Sequence, residues 1–147
     1  MIPARFVLDT NVVVQLFRGN EIGKRIEAQL GLFTAAMPPL LAVVSLGEAR
    51  SLARQWSWGP EKIAQLHALL LKLVIIDINR EPVVASYVEI DHYSRSVGRR
   101  MSQNDLWIAA VAAATEATLL TTDRDFDHLD SSLVRLVWID PGGPTPS

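Results

Sequence analysis

The sequence predicts one α/β domain with a mostly parallel sheet and helices on both faces. Short apolar runs typical of buried strands alternate with longer segments in which apolar residues recur at helical spacing. Because a helix separates each strand from the next, neighbouring strands are joined by crossovers and lie parallel. The predicted strands are residues 6–8, 40–45, 73–78, 117–122 and 133–139.

The composition sets limits on the class of protein. The chain has 147 residues, of which 49% are hydrophobic and 20% charged, as expected for one globular domain over residues 1–140. No apolar run approaches the ~20 residues of a membrane span, and the early first strand leaves no room for a secretory signal. The chain has no cysteine, which excludes disulfides and thiolate metal sites and fits a cytoplasmic location. A net charge of −2 gives no general attraction to nucleic acid, so such a role needs a local site.

The helices are predicted from caps and breaks between the strands. Asn11 or Thr10 is expected to cap a helix over residues 12–17, and a second helix is expected over residues 21–32. Ser45 and Glu48 match the capping-box pattern at the start of the third helix. Pro60 fits the first position of the next helix.

The second half of the chain continues the alternation. A helix begins near residue 81 and closes at Gly98, and Ser102 precedes a helix over residues 106–114 that is apolar nearly all round and therefore central. Residues 123–129 form a short helix or a turn. The tail, residues 141–147, is rich in proline and glycine and is expected to be flexible.

Four acids stand at predicted strand ends or helix starts. Asp9 ends the first strand and Asp123 the fourth, whereas Glu48 and Asp105 lie in the first turns of helices. Such positions share one rim of an open α/β sheet, where the ligand crevice lies. Each acid alone is also explained as a helix cap or an Asx-turn, and this alternative remains open for each one.

The combination of acids predicts a cation site. Carboxylates that meet at one rim repel each other, and a bound cation relieves that repulsion. An all-oxygen cluster without histidine or cysteine favours Mg²⁺ or Mn²⁺. Such cations polarise phosphate esters, lower the pKa of bound water and stabilise the leaving oxygen. The residues therefore indicate metal-dependent chemistry on a phosphate ester.

Four sequence blocks resemble those of a known family. The blocks at residues 8–11 (LDTN), 45–48 (SLGE), 104–110 (NDLWIAA) and 121–126 (TTDRDF) resemble, in order and spacing, the acidic blocks of PIN-domain nucleases. The length resembles that of the VapC toxins of toxin–antitoxin pairs. The resemblance implies a three-layer α/β/α sandwich, a parallel five-stranded sheet in the order 3-2-1-4-5, and metal-dependent cleavage of RNA by an endoribonuclease.

The resemblance also implies roles for individual residues. Asp9 and Asp105 would be the main metal ligands, and Glu48 and Asp123 would complete the catalytic pocket directly or through water. The supporting residues would be Thr10, Asn11, Asn104 and Asp125. The fourth block departs from the family pattern because Asp125 and Asp127 follow Asp123 closely and either could replace it. Asp123 is favoured because it follows the strand.

Basic residues near the acids are candidates for contact with RNA phosphates. Arg99, Arg100 and Arg124 are the main candidates, and Arg5 and Arg18 are others. The chain's histidines, His67, His92 and His128, lack ligand-like spacing, and no catalytic role is assigned to them.

Protein partners are implied by the resemblance as well. A small antitoxin would insert a segment over the active site, and the chain would form a homodimer. Trp56 and Trp58 interrupt two predicted helices, either as part of an exposed arm or packed between the helices.

Two other functions remain open from the sequence. A phosphatase or phosphotransferase could use the same acidic pocket, although Asn11 stands where haloacid-dehalogenase-type chemistry needs a second acid. A non-catalytic protein-binding module of the same fold would keep the acids as caps.

Overall fold

A central parallel sheet organises the chain, as the sequence predicts. The structure is a computed structural model that describes residues 5–34 and 36–142. The elements are β1 (Phe6–Leu8), α1 (Thr10–Arg18), α2 (Glu21–Leu30), β2 (Leu40–Ala42), α3 (Val43–Gln55), α4 (Pro60–Leu70), β3 (Val74–Ile76), α5 (Glu81–Ser96), α6 (Gln103–Thr115), β4 (Thr118–Thr121) and β5 (Arg135–Trp138). The sheet order is β3-β2-β1-β4-β5, and every pairing is parallel. The predicted fold class and strand order are confirmed.

The two faces of the sheet pack against different helices. Val7 of β1 and Leu119 of β4 belong to an apolar cluster with α5 and α6. Their neighbours Leu8 and Leu120 point to the opposite face and pack with α1, α2 and α4. This alternation follows from the two-residue period of a strand and produces the three layers of the fold.

The predicted central helix is α6. Its residues Leu106, Ile108, Ala109, Ala110, Val111 and Ala112 are all buried. Ser102 caps the helix by accepting a hydrogen bond from the N–H of Asp105 at 3.2 Å. The helix is therefore held on all sides, and its first turn carries Asp105.

The predicted cap of the first helix is wrong. The helix α1 begins at Thr10, and its N-cap is Asp9, whose side chain accepts a hydrogen bond from the Thr10 N–H. Because β1 ends at Leu8, an acid with an extended backbone is already in place to begin the helix two residues early.

The predicted start of the third helix is also wrong. The strand β2 ends at Ala42 and α3 begins at Val43, so Ser45 is the third residue of the helix and does not cap it. The β-branched pair Val43 and Val44 resembles a strand in the sequence, but Val44 packs against the α6 side of the core and tertiary packing overrides the local preference. Glu48 consequently lies in the second turn of α3, and no capping box forms.

Smaller differences affect the boundaries. Residues 125–128 form a turn and no helix, which matches one of the two alternatives, and β5 is shorter than the predicted strand. The expected flexible tail lies outside the described residues except for Pro141 and Gly142, which are exposed in a turn. Within the described part of the chain, no helix is both long and apolar enough to cross a membrane.

The close packing of α1 against α2 gives a testable prediction. A Cβ at Gly23 would overlap the carbonyl oxygen of Gln15 and lie 3.2 Å from Leu16 Cα, so backbone must move. We expect Gly23→Ala to lower the free energy of unfolding by about 1–3 kcal/mol, measured by urea titration.

Gly47 provides the matched control, since it is also helical and a Cβ there meets nothing within 4 Å. Gly47→Ala should be neutral or stabilising by up to ~1 kcal/mol. Equal effects of the two substitutions would contradict the close approach of the helices.

Candidate functional site

The four predicted acids line one cleft at the carboxyl end of the sheet. The cleft has a volume of about 370 Å³. Its lining residues are Asp9, Thr10, Asn11, Val14, Gln15, Arg18, Glu48, Leu52, Trp56, Asp105 and Asp123. Strand ends deliver Asp9 and Asp123, whereas α3 and α6 deliver Glu48 and Asp105. The rim expected from the sequence therefore exists in the structure.

Asp9 is the most constrained of the four acids. It directly follows β1, and its N–H donates to the Leu120 carbonyl at 2.9 Å. Its Oδ1 accepts from the Thr10 N–H at 2.8 Å, and its Oδ2 accepts from the Thr121 hydroxyl at 2.7 Å. Both carboxylate oxygens are held, and the residue is only 5% exposed.

Thr121 is a site residue to which the sequence analysis gives no role. It is the last residue of β4 and fully buried. Its hydroxyl donates to Asp9 and accepts from the Asp123 N–H at 2.9 Å, so it joins the first and fourth acidic blocks. A hydroxyl at the end of a buried apolar strand needs a partner, and that requirement is the signal in the sequence that points to it.

Glu48 and Asp105 approach from the helices. Glu48 Oε1 accepts from the Thr10 hydroxyl at 2.8 Å, which ties α3 to the start of α1. Asp105 is the third residue of α6. Among the predicted supporting residues, Asn11 lines the cleft, and its Oδ1 has no hydrogen-bond partner among the described residues. Asn104 is exposed and is not among the residues lining the cleft.

Burial and mutual repulsion make two of the acids weak. Desolvation raises the pKa of Asp9 from 3.8 to about 6, with further increases from the charges of Asp123 and Glu48. Hydrogen bonds from Thr121 and Thr10 partly oppose this rise. Desolvation, followed by the charge of Asp9, raises the pKa of Asp105 to about 6 as well. The cleft therefore holds more negative charge than the protein alone stabilises.

The donor set fits a hydrated hard cation. No group of three or more His, Cys, Asp or Glu side chains is positioned to hold a metal ion within residues 5–34 and 36–142. Mg²⁺ does not require such a cage, because it keeps several waters and binds through one or two carboxylates. The cleft supplies four carboxylates. Oδ1 of the cleft-lining residue Asn11 is a further oxygen, which is buried and has no hydrogen-bond partner among the described residues.

The rest of the fourth block lies beside the cleft. Asp127 forms a surface ion pair with Arg124 at 3.1 Å, and Arg124 also lies 3.3 Å from the centroid of the Trp138 ring. Asp125 is exposed, and its N–H donates to Asp123 Oδ1 at 3.3 Å. Only Asp123 of these three acids is among the cleft-lining residues.

The candidate arginines occupy different places. Arg99, Arg100 and Arg124 are exposed and lie outside the set of cleft-lining residues. Burial and the charge of Asp123 raise the pKa of Asp125, and the charge of Arg99 partly opposes that rise, which places Arg99 near the fourth block. Arg5 donates to the Pro38 carbonyl and lies at the opposite end of β1 from Asp9. Arg18, by contrast, lines the cleft.

The two tryptophans differ in exposure and in what they contact. Trp58 is half-buried and packs on Phe17, with ring centroids 5.0 Å apart. Trp56 is 42% exposed and lines the cleft. The histidines lie outside the cleft-lining set; Ser94 holds His128 at 2.8 Å, and burial lowers the pKa of that histidine.

Comparisons with known proteins match most of the chain. The family model of the PIN domain matches residues 6–131. Ribonuclease VapC5 of Mycobacterium tuberculosis is 31% identical over 139 residues, which cover 88% of this chain and 91% of the relative.

Solved structures share the fold of this chain. VapBC2 from Rickettsia felis, bound to a DNA fragment from its promoter, contains a chain that superposes with a TM-score of 0.76 at 23% identity, covering 90% of this chain and 96% of that one. VapBC-5 from M. tuberculosis, of the VapBC family of toxin–antitoxin systems, gives a TM-score of 0.67 at 27% identity, covering 93% and 100%.

The raised pKa of Asp9 predicts an unusual pH dependence of stability. Between pH 3.8 and about 6 the folded chain keeps the Asp9 proton that the unfolded chain releases, so stability falls as pH rises through this window. The full effect of about two pKa units is on the order of 3 kcal/mol. Without divalent cations, Asp9→Asn should be more stable than wild type at pH 7.5. The decrease in the free energy of unfolding between pH 4.5 and pH 7.5 should also be smaller for Asp9→Asn than for wild type.

Urea unfolding in the presence of EDTA, at both pH values for both proteins, measures the difference. If the wild type and Asp9→Asn have the same pH dependence, Asp9 does not titrate as the geometry indicates.

Proposed function

The chain belongs to the PIN-domain family, and from that premise we propose that it is a divalent-metal-dependent endoribonuclease and the toxin of a toxin–antitoxin pair. The observation that carries the proposal is the meeting of Asp9, Glu48, Asp105 and Asp123 in one cleft. The M. tuberculosis relative is a ribonuclease of the same length class, and it matches nearly the whole of this chain. RNA is therefore the substrate, and cleavage of its phosphodiester bonds is the reaction. A cytoplasmic location, where RNA is available, goes with this activity.

The cation is held mainly by Asp9 and Asp105 in this proposal. Glu48 and Asp123 complete the site directly or through water. A divalent cation suits the family and the all-oxygen donors, and we propose Mg²⁺, with Mn²⁺ as the alternative. When bound, it supplies Lewis-acid polarisation of the phosphate and a water of lowered pKa.

The chain's own residues prepare the site. Thr121 and the Thr10 N–H fix the two oxygens of Asp9, and the Thr10 hydroxyl fixes Glu48. Fixed carboxylates lose little conformational freedom on binding. Burial, and after it the charge of neighbouring carboxylates, raises the pKa of Asp9 and Asp105 to about 6. Both acids lose their protons above that pH, so we expect cation binding to strengthen as pH rises past about 6.

The remaining assignments extend the same proposal. Asp123 is the fourth acid because it lines the cleft, and Asp125 supports it through the backbone contact described above. Arg99, Arg100 and Arg124 contact RNA outside the cleft. The nuclease domain spans residues 1–140.

A small antitoxin is the proposed protein partner. Superposable chains occur in VapBC toxin–antitoxin structures, including VapBC-5 at 27% identity. The antitoxin would cover the cleft and keep RNA away from the acids. The homodimer implied by the sequence resemblance stays a prediction, which light scattering after size exclusion would test.

Removing either main ligand tests the activity. We expect Asp9→Asn and Asp105→Asn to lower Mg²⁺-dependent RNA cleavage by roughly 100-fold or more, because each removes a charge on which cation binding depends. Cation alone should raise the thermal midpoint of the wild type by several degrees and that of Asp105→Asn much less, since only the folded state binds it.

Asp91→Asn is the matched control, because Asp91 forms only an exposed surface pair with Arg95 on α5. It should keep both activity and the response to the cation. Full cleavage by Asp9→Asn and Asp105→Asn would show that these acids do not hold the cofactor.

Expression in bacteria tests the partner. Wild-type protein should arrest growth, and Asp105→Asn should not. Co-expression of the proposed antitoxin, to be sought among small proteins encoded next to this gene, should restore growth. Growth arrest by Asp105→Asn equal to that by wild type would separate toxicity from the acidic cleft and contradict the toxin assignment.

A further inference from the structure

One side of the acidic cleft is formed by an aromatic ring and a cation. Trp56 and Arg18 both line the cleft, and Trp56 is 42% exposed. The Arg18 guanidinium lies 4.5 Å from the centroid of the Trp56 ring. Among the described residues that line the cleft, Arg18 is the only basic one. Neither side chain is a ligand for a hard cation, so this side of the cleft has a role other than metal binding.

The Trp56 ring is held in place before any ligand arrives. Trp58 packs against it, with ring centroids 5.5 Å apart and planes inclined by 46°. Trp58 in turn packs on Phe17 and lies beneath Lys62, whose Nζ is 4.2 Å from the ring centroid.

The backbone also fixes this position. Trp56 is the C-cap that directly follows α3, and its N–H donates to the Leu52 carbonyl at 2.9 Å. Ser57 then adopts a left-handed conformation with φ of 55°, and the Trp58 N–H returns to the Ala53 carbonyl at 3.0 Å. A non-glycine residue in this conformation persists only where the surroundings impose it, so the two rings form a preorganised platform.

An exposed, supported ring beside a cation is the arrangement that binds unpaired nucleotides. Proteins bind single-stranded RNA by stacking its bases on aromatic rings and by contacting its phosphates with arginine. The four acids repel a phosphate chain, and Arg18 is placed where it offsets that repulsion.

We infer that Trp56 and Arg18 form a nucleotide-binding subsite beside the acids, in which Trp56 stacks on a base of single-stranded RNA and Arg18 contacts an adjacent phosphate. The inference rests on the proposed function, because it assigns part of the substrate to the same cleft.

The exchange of contacts on Trp56 favours binding. Arg18 must leave the ring before a base can stack on it. Loss of this exposed cation–π contact weakens binding by about two- to fivefold. A stacked base contributes about five- to 150-fold by alanine substitution. The released guanidinium then gains a phosphate, its preferred planar partner.

Equilibrium binding tests the subsite independently of cleavage. The probe is a fluorescein-labelled 12-nucleotide single-stranded RNA pool, titrated by anisotropy with every variant in an Asp105→Asn background. Trp56→Ala should raise Kd about tenfold, Trp56→Phe should retain most of the affinity, and Arg18→Met should raise Kd and reduce its salt dependence. In otherwise wild-type protein, Trp56→Ala should raise KM for RNA by a similar factor and change kcat little.

Lys62→Met is the matched control, because Lys62 also lies over a tryptophan of this cluster but does not line the cleft. It should leave Kd and KM unchanged. In otherwise wild-type protein, Trp56→Ala, Trp56→Phe and Lys62→Met should each show the same cation-induced thermal shift as the wild type. The inference would be overturned if Trp56→Ala kept Kd and KM within twofold of wild type, or if Trp56→Ala and Lys62→Met weakened RNA binding equally. Either result would leave this surface to a protein partner. RNA binding through Trp56 without any cleavage by wild type would keep the subsite and refute the proposed activity.

Discussion

In the centre of the sheet, β1 runs parallel to β4 with Leu8 opposite Leu120. Asp9 and Thr121 therefore leave the sheet side by side, close enough for the Thr121 hydroxyl to hold Asp9 Oδ2. Asp123 follows two residues later and uses the same hydroxyl through its N–H. One strand pairing thus places two of the acids, and Thr10 adds Glu48 through its own hydroxyl. A change of register in this pair would separate the acids even if every one of them were kept.

The apolar layers make this concentration of charge tolerable. Asp105 lies at the start of a helix whose following residues are almost all buried, so its backbone cannot move far from Asp9. Asp9 follows a strand with Val7 and Leu8 fully buried on opposite faces. The core fixes the carboxylates against a repulsion that would otherwise spread them, and burial, with this repulsion added to it, raises the pKa of both aspartates.

The sequence contains most of the fold but only part of the site. Strand order, the buried helix α6 and the shared rim of the four acids follow from local patterns and the family resemblance, although the chemical roles of the acids stay predictions. The start of α3 could not be predicted, because Val43 and Val44 favour a strand and only tertiary packing places them in a helix. Thr121 and the Arg18–Trp56 contact depend on partners that lie 112 and 38 positions away in the chain, and no local rule connects such residues.

The crowded carboxylates also shape how this chain can change over generations. The Asp9→Asn substitution relieves desolvation and repulsion and keeps an oxygen that can cap α1. We therefore expect it to favour the folded state at neutral pH while it removes the charge on which the proposed catalysis depends. Selection for robustness and selection for activity therefore act in opposite directions on the same residue. In a lineage where the activity became unnecessary or harmful, loss of the Asp9 charge would inactivate the protein without unfolding it, because this substitution is expected to raise the stability of the fold.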